Sequence, residues 1–159
     1  MTREKIPWGI VQRFQQTPPV NVSGLARALG LRVWLSRKLP DGISGVLKRD
    51  KKNGGESGYS IIVRKSDSFE RQRFTVAHEI SHFLLHRDSI GMELADNALY
   101  RSGLSTLKEA EANRLAAEIL MPRNLIDWCV PRCGSSDPKA LASALKVSEA
   151  AMKIRLGIS

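Results

Sequence analysis

All three histidines of this 159-residue chain lie in one nine-residue run, His78-Glu79-Ile80-Ser81-His82-Phe83-Leu84-Leu85-His86. The first five residues read His-Glu-x-x-His. On an α-helix the side chains at i and i+4 share a face, so His78 and His82 offer two imidazole nitrogens to one cation while Glu79 reaches a water bound to it. That is the geometry of a hydrolytic zinc site. A random shuffle of so few His and Glu would produce the pattern in roughly one chain in a few hundred, so the surrounding sequence must support it.

The surroundings do. Asp67 followed by Glu70 resembles a capping box, and Phe74, Ala77, Ile80, Phe83 and Leu84 recur at helical spacing up to Arg87. The motif therefore lies in the middle of a predicted amphipathic helix. A second helix begins near Thr106, carries Leu107, Ala112, Leu115, Ala116, Ile119 and Leu120, and stops at Pro122. Upstream, residues 20–30 read as a short helix with Ser23 as cap and Gly30 as stop. Three strand patterns follow, at 31–35, 43–48 and 59–63, separated by turns at Pro40-Asp41-Gly42 and Lys51-Lys52-Asn53-Gly54-Gly55. The expected architecture is α+β: a small, mostly antiparallel three-stranded sheet packed on helices, with short C-terminal helices over about 137–157. Residues 88–105 read as an irregular, long connection.

One ordinary domain fits the length, and such a domain buries a core without staples, so a metal here is catalytic rather than structural. The apolar runs are short and interrupted by charge, and the N-terminus lacks a signal-peptide pattern. A cytoplasmic protein with no membrane role is expected. Cys129 and Cys133 form Cys-x-x-x-Cys without a second Cys or His pair, and read as reduced thiols near a helical turn. The charge of +9, from 25 Lys+Arg against 16 Asp+Glu, is spread over several short clusters and reads as a solvated surface.

A catalytic zinc site needs three protein ligands and one open position. The second helix offers Glu109, Glu111 and Glu118. Glu109 falls in line with Ala112, Ala116 and Ile119 on the apolar face, where the small alanines permit a close approach to the histidine helix. It is the preferred third ligand, with Glu111 as alternate; the competing role for Glu109 is a capping box with Thr106. Glu79 is the expected general base. His86 drifts off the shared face, because four residues overshoot a helical turn by about 40°, and reads as structural or as a support for another imidazole. Asp88 and Asp96 are further candidates for orienting an imidazole, and Tyr100 for contacting an oxyanion. Two imidazoles and a carboxylate admit zinc or manganese, with zinc the usual ion.

The block Arg73-Phe74-Thr75-Val76-Ala77-His78-Glu79-Ile80-Ser81-His82, together with Glu109-Ala110-Glu111-Ala112-Asn113-Arg114-Leu115-Ala116-Ala117-Glu118-Ile119-Leu120-Met121-Pro122, resembles the ImmA/IrrE-type metallopeptidases. The resemblance implies a single zincin-like metallopeptidase domain over 1–159, with the metal on His78, His82 and the glutamate that opens the second block, Glu109. It also implies a protein substrate, often a helix-turn-helix repressor, in a stress-response, mobile-element or toxin-antitoxin setting. Ser81 stands where relatives commonly have Gly, and Leu115 where Phe is more usual. A rival expectation keeps the metal site but acts without catalysis, by binding a repressor, antitoxin or DNA. Residues 141–156 have the look of a helix-turn-helix fragment; in this family such helices usually belong to the peptidase domain, which makes DNA contact the weakest of these expectations.

Overall fold

In the computed structural model, residues 5–91, 98–99 and 105–158 are described. Two short helices, α1 (Trp8–Arg13) and α2 (Val22–Ala28), precede β1 (Leu31–Ser36), β2 (Gly45–Arg49) and β3 (Tyr59–Arg64). Then come α3 (Phe69–Gly91), β4 (Ala98–Leu99), α4 (Thr106–Leu120), α5 (Arg123–Cys133), α6 (Pro138–Leu145) and α7 (Glu149–Leu156).

Local chemistry sets most boundaries. Asn21, rather than Ser23, caps α2 by accepting the Gly24 N–H at 2.9 Å, and Gly30 at φ +83° turns the chain into β1. At the head of α3, Ser68 Oγ accepts the Arg71 N–H while Asp67 pairs with the Arg71 guanidinium at 3.4 Å. Ser105 caps α4 by accepting the Lys108 N–H. α3 runs four residues past Arg87, so the connection between the long helices is shorter than expected.

The α+β expectation holds, with an addition to the sheet. Its order is β1-β3-β2-β4: β1 runs parallel to β3, β2 is antiparallel to β3, and the two-residue β4 is antiparallel to β2. β3 takes the centre because Tyr59, Ser60, Ile61 and Val63 are all buried, whereas β1 exposes Arg32, Trp34 and Leu35 and lies at an edge. β2 pairs on the far side of β3, so the consecutive strands β1 and β2 are not neighbours in the sheet.

α3 packs beneath β2 and β3 on one side and along α4 on the other. Ile80, Phe83 and Leu84 meet the sheet residues Leu47, Ile61 and Val63 in one core, to which α5, α6 and α7 add Leu125, Leu141, Leu145 and Met152. Two arginines fasten the C-terminal helices to this core. Arg73 on α3 donates to the Leu145 and Lys146 carbonyls at the end of α6, and Arg155 on α7 donates to Met121 O at the end of α4. Gln15, just past α1, likewise donates to the Glu118 and Ile119 carbonyls. Among the described residues no helix is long and apolar enough to cross a membrane.

Candidate metal centre

The centre forms where α3 and α4 run side by side. Ala112 and Ala116 are fully buried in that contact, and with no side chain beyond Cβ they let the two backbones close up. The result is convergence: His78 Nε2 and His82 Nε2 are 3.0 Å apart, and Glu109 places one carboxylate oxygen 3.2 Å from the first and the other 3.1 Å from the second. Both imidazoles are about 1% exposed, while the Glu109 side chain is 24% exposed. A tetrahedral ion with metal–nitrogen bonds of about 2.0 Å has ligand atoms separated by about 3.3 Å. Each imidazole thus has its nearest Glu109 oxygen, a different one for each ring, at close to that spacing. One donor atom from each of the three groups lies within 4.8 Å of the others, and the donor set of two nitrogens and a carboxylate suits a divalent cation.

Glu109 therefore turns towards the histidines, and Ser105, not Thr106, caps α4. Glu111, the alternate ligand, points elsewhere: its carboxylate lies 3.8 Å from His86 Nε2. His86 in turn sets its Nδ1 2.9 Å from His82 Nδ1. This chain of contacts fixes proton positions. If His82 offers a cation the lone pair on Nε2, its proton is on Nδ1 and is donated to His86 Nδ1; His86 then carries its own proton on Nε2, towards Glu111. Burial holds the His86 imidazole below its usual pKa against the opposing pull of Glu111, which favours the neutral ring this arrangement needs.

Glu79 is 2% exposed and sits beside this centre on the flank of α3 that faces β2. The strand comes unusually near there. A Cβ on Gly45 would collide with the Thr75 methyl group and stand 3.5 Å from Glu79 Cγ. Gly45 and Thr75 are thus parts of the site's framework that motif spacing did not single out; a lone glycine in a strand pattern was the available signal. Ser81 is fully buried and donates its hydroxyl to Ala77 O at 2.8 Å, so the serine is accommodated in the helix with its polar group satisfied. Leu115 is buried in the core.

The remaining candidates lie away from the centre or outside the described residues. Asp88 is exposed and lines a surface depression with Arg87 and Tyr59. Asp96 and Tyr100 fall outside the described residues. Cys129 and Cys133 are both free thiols on α5, and burial pushes the Cys129 thiol pKa up, which keeps it protonated and inert.

Comparison with known proteins fits this geometry. The sequence profile of the IrrE N-terminal-like domain matches residues 27–157. Over 89 residues the chain is 36% identical to the radiation response metalloprotease IrrE of Deinococcus radiodurans, covering 56% of this chain and 27% of that protein. Over 82 residues it is 39% identical to the radiation response metalloprotease IrrE of Deinococcus deserti, covering 52% of this chain and 29% of the relative. The matched stretch thus spans less than a third of either relative. A solved structure, a Mycobacterium tuberculosis transcriptional regulator, superposes with a TM-score of 0.63 over 95% of this chain and 46% of its own, at 18% identity, a likeness of fold. The profile match runs from the last residues of α2 to the end of α7 and takes in His78, Glu79, His82 and Glu109, and by that match the chain belongs to the IrrE N-terminal-like domain family.

Proposed function

We propose that this chain is a zinc-dependent endopeptidase that hydrolyses a peptide bond in one protein partner, a helix-turn-helix repressor or antitoxin, in the cytoplasm. The observation that carries the reading is the convergence of His78, His82 and Glu109 within 3.2 Å of one another, with Glu79 adjacent on the same helix. Manganese would fit the same donors; zinc is the ion proposed. A divalent ion held there supplies a water that ionises near neutral pH and a Lewis acid for the scissile carbonyl.

The protein's own groups do the rest. His78 and His82 are buried, and as ligands through their Nε2 lone pairs they would be neutral, so Glu109 would be the one anionic donor and the site would keep net positive charge. Glu79 takes the proton of the attacking water on its carboxylate and delivers it to the departing amine, so the nitrogen leaves neutral. The bond formed is carbon to water oxygen, the bond broken is carbon to nitrogen, and one proton passes through Glu79.

The test is Glu79→Gln. The amide is nearly isosteric and cannot carry the proton, so cleavage of the partner repressor should fall by at least about a hundredfold, while elemental analysis still finds one equivalent of zinc. Undiminished cleavage would remove Glu79 from the mechanism. Partner binding without cleavage by either form would favour the non-catalytic alternative, in which the module regulates by binding.

A further inference from the structure

A second surface lies on the opposite side of α3. Val76 is two residues before His78 and hence about 200° away around the helix. There it lines a groove of about 700 Å³ that runs along β1 between α2 and the first turns of α3. Val33, Val63 and Val76 line it, and Leu35 and Phe69, 56% and 59% exposed, stand at its mouth.

β1 is an edge strand of the sheet formed by the described residues, with β3 as its partner. Ser36 O accepts the Lys65 N–H beside β3, so Ser36, Trp34 and Arg32 turn their main-chain groups towards β3. Val33 and Leu35 alternate with them and turn their N–H and C=O groups outward. The same two residues send apolar side chains into the groove. Outward main chain beside an apolar trough is the requirement for adding a strand.

The charge selects the occupant. Arg27 lines the groove against one acid, Glu56; Arg32 stacks on Trp34 on the other face of β1, where the alternate side chains of an added strand would lie; and Arg37 and Lys38 follow directly on β1. A second copy of β1 laid antiparallel would bring Arg32 of one strand towards Arg37 and Lys38 of the other, a like-charge clash. We infer that the β1 edge is a docking site for an extended, acidic segment of a protein partner, bound as an added strand with alternate apolar side chains in the groove. This surface does not depend on the metal centre and would hold a partner well away from the scissile bond.

The experiment uses the full chain, isotopically labelled for amide NMR, and three synthetic octapeptides. Each alternates Val and Ile with one other class: Asp and Glu, Ser and Thr, or Lys and Arg. The acidic peptide should shift the Val33 and Leu35 amides saturably, the neutral one should bind roughly tenfold more weakly, and the basic one should leave them unmoved. Leu35→Pro removes an outward N–H while sparing the β1–β3 ladder, and should abolish the response. Should that variant misfold, Arg27→Glu with Arg32→Glu should erase the preference for the acidic peptide. Three outcomes overturn the inference: no shift at these amides with any peptide; equal shifts with all three; or amides of Val33 and Leu35 already protected from hydrogen exchange in the free protein, by its own chain or by a second copy.

Discussion

The two faces of α3 solve opposite problems with one helix. The face against the sheet is apolar: Ile80 is fully buried, with Phe83 and Leu84 nearly so, among Leu47, Ile61 and Val63. Its stability comes from area removed from water. The face against α4 is buried as deeply but carries His78, His82 and His86. Burying such groups is costly unless each finds a partner, and here the partners are one another and the carboxylates of α4. The lesson is that burial on the two faces serves different ends: the sheet face holds the helix in place, and the α4 face concentrates polar groups that a cation would satisfy.

The sharpest way to break the comparison is to remove one group from each face. His82→Ala should abolish stoichiometric zinc binding by elemental analysis. It should also remove the thermal stabilisation that a zinc ion bound there would give the wild type, about 2.7 kcal/mol at a hundredfold excess over Kd. Ile80→Ala should do the reverse. A cavity at a fully buried site costs about 2–5 kcal/mol in unfolding free energy, while the zinc stoichiometry of the folded fraction stays at one. If Ile80→Ala also lost the metal at temperatures where it remains folded, the two faces would not be separable.

A finer cut lies within the polar face. His86 touches His82 and is not among the three converging donors, so it acts through the orientation and proton position of that ring. His86→Phe deprives His82 Nδ1 of its acceptor and should weaken zinc affinity by about 10–100-fold in a chelator competition. His86→Gln restores an acceptor oxygen and should recover most of the loss. Equal affinities for the wild type and both variants would reduce His86 to packing.

How much of this was legible beforehand follows from where the physics is local. The pairing of His78 with His82 is a property of helical periodicity, and Glu109 followed from its register with Ala112 and Ala116. Both are statements about one helix at a time. The role of Glu111 beside His86 was not legible, because it depends on how α3 and α4 slide past one another. The close approach of β2 at Gly45 and the parallel pairing of β1 with β3 are likewise tertiary facts. α1 and α5 are not legible in the sequence for another reason. One is a six-residue helix between prolines, and the other contains Pro131, so neither shows a sustained helical pattern.

The smallest effect tests whether the start of α4 is set by its cap or by Glu109. Ser105 Oγ accepts the Lys108 N–H, and removing it as Ser105→Ala should cost about 1 kcal/mol of stability by denaturant titration. Glu109 lies one turn into the helix and is turned towards the histidines. Its backbone N–H bonds to Ser105 O, a contact the alanine keeps. Zinc affinity should therefore be unchanged in Ser105→Ala. If affinity fell together with stability, the first turn of α4 would be held in place by its cap alone, and the carboxylate would owe its position to the helix start. Unchanged affinity would instead locate the restraint on Glu109 in the Ala112 and Ala116 contact, where α4 is pinned against α3 along its length.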